Sequence, residues 1–166
     1  MPKIIRITPE FAVTAALAPE DFAEIARLGF RAILNNRPDG EAVGQLTTRR
    51  EANLARDAGL AYRHVPAAKL ELFDDRVLLG SAKALAGLDG PVLAHCASGL
   101  RSAIVWAATK VRGGSSIDGV LATLHKAGFD MEAVRDDLEA VSGGDVKNDS
   151  DAKADAPAGH PSATAA

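Results

Sequence analysis

The chain has 166 residues, 47% of them hydrophobic and 25% charged, which suits one globular domain with a sizeable core. The formal net charge of −3, and the lack of any apolar run near ~18 residues, argue against nucleic-acid and membrane partners. The single cysteine excludes an internal disulfide and a cysteine-rich zinc site, and residues 11–18 lack the form of a signal peptide, so we expect a cytoplasmic protein.

In chain order, short runs with β-strand composition alternate with segments whose apolar residues recur at helical spacing. Thr48 and Glu51 have the spacing of a capping box, and Asp74 precedes a predicted helix as a candidate cap. The predicted elements are strands at 4–7 and 11–14, a helix at 19–29, a strand at 31–36, a helix at 48–59, a strand at 61–66, a helix at 75–88, a strand at 91–96, a helix at 102–111, and two amphipathic helices at 117–124 and 131–141.

Strands that alternate with helices indicate an α/β fold, with a mostly parallel sheet flanked by helices. Residues 91–96 are apolar enough for a central strand, and Cys96 lies at its carboxyl end, where such sheets bind ligands. Residues 143–166 are rich in Asp, Ala, Gly, Ser and Pro and contain no aromatic residue. We therefore predict one folded domain at 1–142 and a disordered polar tail at 143–166.

The segment CASGLR, residues 96–101 and called the Cys loop below, connects the predicted central strand to a buried helix. A loop that enters a helix points backbone N–H groups inward, and the helix N-terminus adds partial positive charge. Arg101 adds a full charge and a planar donor fork that suits oxyanions, and Gly99 permits the turn. Such an anion cradle lowers the pKa of a thiol, so we predict that Cys96 is a thiolate nucleophile acting on an oxyanion.

Two residues that flank this pair are further candidates for the catalytic machinery. The hydroxyl of Ser102 either donates to the thiolate or caps the helix, and the pattern leaves both open. His95 is predicted to hold the loop by bonding to its backbone, and not to act as general base, because adjacent strand residues point to opposite faces. Substrate contacts are expected from the remaining loop residues, Ala97, Ser98, Gly99 and Leu100.

The segment HCASGLRS is similar to the signature of cysteine-dependent phosphatases, but it has four residues between Cys96 and Arg101 instead of five. Four is the spacing of rhodanese-type sulfurtransferases. Together with GFRAILNNRPDGE, residues 29–41, the segment resembles one family, the beta-lactamase-hydrolase-like phosphatase-like domain, which is described as both sulfurtransferase and phosphatase. The resemblance covers about residues 5–112. It implies a fold like that of dual-specificity phosphatases, with Cys96 as nucleophile and Arg101 as anion ligand.

The resemblance leaves the reaction open, and two features favour sulfur chemistry. A loop shorter by one residue has a smaller ring of N–H donors, which suits a persulfide sulfur better than a phosphoryl group. Dual-specificity phosphatases have an acidic residue after the strand that here ends at 66, but the matching positions are Ala67, Ala68 and Lys69. The loss of a general acid costs roughly 10²–10⁴ in rate for a poor leaving group. The nearest acids in this segment are Glu71, Asp74 and Asp75.

Arg37 and Asp39 follow the predicted strand at 31–36, whose carboxyl end lies on the same edge as Cys96. Arg37 is predicted to bind the anion or to pin the Cys loop. Asp39 either belongs to a Pro-Asp-Gly turn or is a displaced general acid, which would favour a phosphatase.

The sequence therefore favours a cysteine-dependent sulfurtransferase without a cofactor. Cys96 would take sulfane sulfur from thiosulfate or a persulfide and, in the absence of a second cysteine, pass it to an external thiol or acceptor protein. The alternatives are a phosphatase that forms a phosphocysteine at Cys96, and a non-catalytic module that binds an oxyanion. A small anionic substrate is expected in each case, and no metal, because the histidines lack metal-ligand spacing.

Overall fold

The computed structural model describes residues 1–143, in which five short strands form one sheet with helices on both faces. The strands are β1 (Ile5–Thr8), β2 (Phe11–Thr14), β3 (Ala32–Asn35), β4 (Ala61–His64) and β5 (Val92–His95). The helices are α1 (Asp21–Arg27), α2 (Thr48–Asp57), α3 (Asp75–Gly87), α4 (Leu100–Arg112), α5 (Ile117–Lys126) and α6 (Arg135–Ser142), with a 3-10 turn at Glu132–Val134.

Strand β5 lies at the centre of the sheet, whose order is β1-β2-β5-β3-β4. It pairs in parallel with β2 and β3, β4 pairs in parallel with β3, and β1 runs antiparallel to β2. The last residue of β5, His95, is in register with Thr14 on one neighbour and with Asn35 on the other. The carboxyl ends of three strands therefore meet at one edge, and Cys96 is the first residue beyond it.

Successive residues of the central strands point to opposite faces, so the sheet separates two apolar layers. On β5, Val92 and Ala94 pack into the larger layer with α3, α4, α5 and α6, whereas Leu93 packs into the smaller layer with α1 and α2. The same alternation places His95 on the side of α2. Helix α4 is buried over most of its length because α3, α5, α6 and the sheet all pack against it.

The predicted α/β class, a mostly parallel sheet between helices, is confirmed, and every predicted strand and helix has a counterpart. The predicted capping box is wrong, since Thr47 caps α2 by accepting from the Arg50 N–H at 3.2 Å, while Glu51 is buried. Asp74 precedes α3, but its side chain makes no capping hydrogen bond. No helix within residues 1–143 is long and apolar enough to cross a bilayer. The predicted tail lies, apart from its first residue, outside the described residues.

Candidate active site

The Cys loop turns sharply from β5 into α4, and Gly99 makes that turn. Its φ of +93° is a left-handed conformation that residues with a side chain adopt only with strain. A Cβ at this position would also lie 3.2 Å from the backbone carbonyl oxygen of Thr14 on β2. Glycine is therefore required both by the conformation of the loop and by the close approach of the neighbouring strand.

The thiol of Cys96 is fully buried at the point where N–H groups of the loop converge. The Gly99 N–H donates to its Sγ at 3.1 Å. Burial raises the pKa of the thiol, but four backbone N–H groups together lower it by more, those of Ser102, Ser98, Gly99 and Arg101. The net pKa of Cys96 lies below its ordinary value, so the thiolate forms more readily than in a free cysteine.

Arg101 lies in the first turn of α4, and its side chain is largely buried. The protein binds the guanidinium along the edge formed by Nη1 and Nη2. Nη1 donates to Glu41 Oε1 at 2.7 Å and to the Ala67 carbonyl at 2.9 Å, and Nη2 donates to Glu41 Oε2 at 2.8 Å. A guanidinium has five N–H donors, so the Nε–H and the second Nη2–H remain for another partner. Hydrogen bonding to Glu41 and the charge of nearby Cys96 raise the pKa of Arg101. The thiol and the free edge can together hold an oxyanion.

Glu41, the last residue of GFRAILNNRPDGE, has no predicted role in the sequence, yet its carboxylate holds the catalytic candidate Arg101. Hydrogen bonding from Arg101 lowers the pKa of Glu41 against the opposing effect of burial, and the charges of Arg101, Arg37 and Lys69 lower it further. Glu41 is therefore ionised near neutral pH. Its carboxylate contacts two nitrogens of the guanidinium and so can hold it in place, and an ionised carboxylate has no proton to donate.

His95 bonds to a buried carboxylate on α2. Its Nε2 lies 2.9 Å from Glu51 Oε2, and the same oxygen accepts from the Tyr62 hydroxyl at 3.0 Å and from Asn35 Nδ2 at 3.1 Å. Glu51 is only 3% exposed, so these three donors take the place of water. The structure corrects the predicted bond between His95 and the loop backbone: the ring ties the end of β5 to α2, one residue before Cys96. It also explains why Glu51 does not serve a capping box.

The other residues of the Cys loop and its flank differ in how far they are buried. The Oγ of Ser102 is buried and has no hydrogen-bond partner among residues 1–143, so neither predicted side-chain bond, to the thiolate or as a helix cap, is present. Its backbone N–H instead acts on the thiol, and Gly99 occupies the cap position of α4. Ala97, Ser98 and Leu100 are exposed at the mouth of the loop, where a substrate would arrive.

Arg37 and Asp39 are placed differently from each other. Arg37 lies beside Glu41, with Nε 3.8 Å from Oε2, and so belongs to the same group of charges as Arg101. Asp39 is exposed and accepts from the Thr48 N–H at 2.8 Å, at the start of α2. The Asp39 carboxylate therefore connects its loop to the start of α2 by a hydrogen bond. This contact argues against the hypothesis that Asp39 is a displaced general acid.

Two of the three acidic residues that follow β4 bond to nearby backbone or to arginine side chains. Glu71 accepts from the Ala68 N–H at 3.2 Å and pairs with Arg76 at 3.1 Å. Asp75 pairs with Arg112, and Asp74 is exposed at the start of α3. Within residues 1–143, no group of three or more His, Cys, Asp or Glu side chains has the arrangement of a metal site.

Comparison with known proteins agrees with the family resemblance that the sequence motifs indicate. The profile of the family described as the beta-lactamase hydrolase-like protein, phosphatase-like domain, matches residues 3–113. A beta-lactamase hydrolase-like protein of Xylella fastidiosa strain Temecula1 is 36% identical over 130 residues, which are 78% of this chain and 30% of that relative. The chain therefore spans less than a third of the length of this curated relative.

Two solved structures share the fold at low sequence identity. A Neisseria meningitidis protein proposed to be a phosphatase superposes with a TM-score of 0.72 at 24% identity, covering 83% of this chain and 97% of that one. The Pseudomonas aeruginosa protein TpbA, solved in complex with phosphotyrosine, superposes with a TM-score of 0.56 at 21% identity, covering 84% and 83%. The cysteine-phosphatase-like fold that the family resemblance implies is thus confirmed.

Proposed function

Because this chain belongs to the family of the phosphatase-like domain of beta-lactamase hydrolase-like proteins, we propose that it hydrolyses phosphate esters through a phosphocysteine at Cys96. The observation behind the proposal is a buried thiol of lowered pKa among backbone N–H groups, next to a guanidinium with a free edge. The substrate is a small anionic ester. TpbA, which shares the fold and binds phosphotyrosine, supports this choice over a sulfur donor.

The chemistry follows from the positions of the groups. The phosphoryl oxygens accept from the N–H groups of the Cys loop and from Nε–H and Nη2–H of Arg101, while Glu41 keeps the guanidinium in place. The thiolate of Cys96 attacks phosphorus, an S–P bond forms as the ester P–O bond breaks, and the leaving oxygen takes the electron pair. Water then attacks the phosphocysteine, which releases phosphate and restores the thiolate.

The leaving group must depart without a dedicated acid at the position where dual-specificity phosphatases have one. Residues 67–69 are Ala-Ala-Lys, Asp39 is bonded to α2, and Glu41 is held ionised by Arg101. Protonation of a poor leaving group by a positioned acid contributes roughly 10²–10⁴ in rate. We therefore expect aryl esters and phosphoanhydrides, whose leaving groups are stable as anions, to react much faster than simple alkyl esters.

The proposal is tested by following hydrolysis of p-nitrophenyl phosphate together with the intact mass of the acid-quenched protein. The expected result is turnover that vanadate inhibits, and a fraction of chains that gain one phosphoryl group at Cys96. Cys96→Ser should show neither, and Ser115→Ala, a change at an exposed residue after α4, should behave as wild type. A folded wild-type protein that shows neither turnover nor a phosphoryl adduct would overturn the proposal.

Sulfur transfer, which the sequence alone favours, remains the second candidate because four residues separate Cys96 from Arg101. In that reaction the thiolate attacks the outer sulfur of thiosulfate, an S–S bond forms, and sulfite leaves with the electron pair of the bond that breaks. The matching family is described as a phosphatase-like domain, and the Neisseria meningitidis protein of the same fold is proposed to be a phosphatase, so we place this candidate second. A gain of one sulfur atom on reduced wild-type protein incubated with thiosulfate, reversed by cyanide, would promote it.

A further inference from the structure

The first turn of α2 contacts both halves of the candidate active site. The backbone N–H of Thr48, the first residue of this helix, donates to the Asp39 carboxylate at 2.8 Å. Three positions later, Oε2 of Glu51 lies 2.9 Å from Nε2 of His95, the residue before Cys96. Residues i and i+3 are neighbours on a helix, so a single turn reaches both the loop after β3 and the end of β5.

The contact with Asp39 holds the loop from which Glu41 reaches the guanidinium. This loop connects β3 to α2 and is largely exposed, so its position depends on a small number of bonds. Besides the bond to Asp39, Gln45 Nε2 donates to the Pro38 carbonyl at 2.8 Å. Glu41 follows Asp39 by two positions, and its two oxygens accept from Arg101 at 2.7 and 2.8 Å. Asp39 therefore ties the start of α2 to the segment that holds Arg101.

The contact with Glu51 involves a buried carboxylate that the proposed reaction does not use. Glu51 is only 3% exposed, and its Oε2 also accepts from the Tyr62 hydroxyl at 3.0 Å and from Asn35 Nδ2 at 3.1 Å. Since these donors lie on β4 and β3, the carboxylate joins His95 to both strands as well as to α2. Because Cys96 directly follows His95, a contact that holds the His95 ring also holds the backbone from which the thiol projects.

We propose that the first turn of α2 positions the two groups of the site separately. Asp39 places Arg101 through Glu41, and Glu51 places the thiol of Cys96. This inference rests on the proposed function, since it assigns both acids to the site of that reaction. Neither acid gives a proton to the substrate in this role. The place of each carboxylate oxygen matters more than its charge, because each serves as an acceptor for N–H or O–H groups of the protein.

One isotopic label reports on both groups, because Cys96 is the only cysteine in the chain. In full-length protein labelled with ¹³C at cysteine Cβ, the chemical shift of the single signal follows ionisation of the thiol. Its titration midpoint gives the pKa of Cys96. Tungstate, a tetrahedral oxyanion like phosphate, should shift the same signal when it binds between the Cys loop and Arg101. The tungstate concentration at half of this change gives a Kd without turnover.

The Asp39 part of the proposal predicts a loss of anion binding. Asp39→Ala removes the acceptor of the Thr48 N–H, and we expect it to weaken tungstate binding about three- to tenfold, the effect of one hydrogen bond. The pKa of Cys96 should stay at its wild-type value, since backbone N–H groups lower it. Asp39→Asn keeps an oxygen in place and should restore binding. In Glu41→Gln protein, Asp39→Ala should weaken binding little further, because both changes act through one carboxylate.

The Glu51 part predicts a change at the thiol that depends on position and not on charge. Glu51→Asp keeps the charge but shortens the side chain, which draws the oxygen away from His95. The pKa of Cys96 should then rise by about 0.5, the effect of weakening one N–H contact with the thiolate. Glu51→Gln keeps an oxygen for His95 and should leave that pKa near its wild-type value. A purely electrostatic role gives the opposite order, since only glutamine removes the charge.

Asp130→Ala is the matched control for the loss of an exposed carboxylate. Asp130 lies after α5, and its side chain also accepts a backbone N–H, that of Glu132 at 3.3 Å. This variant should change neither the Kd for tungstate nor the pKa of Cys96. Urea unfolding shows which variants are folded. If Glu51→Asp does not fold, Tyr62→Phe weakens the same network and should raise the pKa of Cys96 by a smaller amount.

Each part of the proposal can fail by itself. If Asp39→Ala binds tungstate as wild type does, or adds its full effect to that of Glu41→Gln, Asp39 does not place Arg101. If Glu51→Asp leaves the pKa of Cys96 unchanged, or Glu51→Gln moves it more, Glu51 does not place the thiol. Both results leave the phosphatase proposal to its own test. The absence of a phosphocysteine, together with the expected changes in Kd and pKa, would overturn the phosphatase proposal alone.

Discussion

Replacing Glu41 by glutamine tests whether its carboxylate positions Arg101 or merely competes with substrate for it. The two oxygens of Glu41 bind the Nη1–Nη2 edge of the guanidinium at 2.7 and 2.8 Å and leave the Nη2–Nε edge open. Glutamine keeps the shape and one acceptor but loses the charge and the second acceptor. If positioning is the role, the substitution lets the guanidinium rotate and misaligns the edge that binds the phosphoryl group.

The magnitude follows from the bonds that are lost and those that remain. A hydrogen bond to a charged group is worth about 1.5–3 kcal/mol. The Glu41 side chain is 28% exposed, so solvent screens part of that value. Arg101 also keeps its bond to the Ala67 carbonyl at 2.9 Å. We expect a net loss of about 1–2 kcal/mol in transition-state binding, which is about a 5- to 30-fold fall in kcat/KM.

The assay is steady-state hydrolysis of p-nitrophenyl phosphate by Glu41→Gln, with Glu139→Gln as the control for loss of an exposed carboxylate on α6. The vanadate inhibition constant is measured in parallel, because it reports anion binding without turnover. Urea unfolding shows whether the variant retains the stability of the wild type. We expect weaker vanadate inhibition and lower kcat/KM for Glu41→Gln alone.

The opposite result would refute the reasoning. If Glu41 is a competitor for the anion, its removal frees the guanidinium, and vanadate inhibits more strongly while kcat/KM rises. An unchanged kcat/KM in a fully folded variant would show equally that the bidentate contact does not position Arg101 during catalysis.

Three further predictions concern the Cys loop and the buried network. Gly99→Ala forces a left-handed alanine against the Thr14 carbonyl, so urea unfolding should show a loss of about 1–3 kcal/mol, and iodoacetamide should react more slowly at neutral pH. Because the pKa of Cys96 is lowered, its thiolate persists at pH values below the ordinary thiol range. In a plot of alkylation rate against pH, the midpoint should therefore lie below that of free cysteine. A midpoint at or above that of free cysteine would contradict the stabilisation of the thiolate by the loop N–H groups. Tyr62→Phe removes one donor from Glu51, so urea unfolding should show a loss of about 1–3 kcal/mol, and no change in stability would mean that the network adds nothing.

The parts of the fold and site that the sequence predicts are those determined by neighbouring residues. The apolar run at 91–96, the glycine in CASGLR and the helical pattern after it lie within a short segment, and together they specify a strand, a turn and a helix that brings Arg101 to Cys96. The parallel pairing of β5 follows from the alternation of strands and helices. These features can be predicted without knowing which distant residues pack against them.

The contacts that the sequence does not reveal join residues far apart in the chain. Glu41 and Arg101 are 60 positions apart, and Glu51 and His95 are 44 apart, so no local spacing indicates either pair. The capping-box prediction fails for the same reason. Glu51 has the right local spacing after Thr48, but a buried histidine from β5 is its partner. One signal was available: an acid at 41 follows a strand that ends at the same edge as Cys96.

The central position of β5 also bears on local unfolding, because it makes this strand one of the hardest parts of the domain to open. Local opening costs least at loops and most in strands paired on both edges, so amide hydrogens of β5 should exchange with solvent among the slowest in the protein. Residues 38–44, which are largely exposed, should exchange much faster. Cys96, the predicted nucleophile, directly follows this strand and is therefore attached to the part of the domain that we expect to be most stable. The segment that contains Glu41 is then the part of the candidate site that we expect to open more easily.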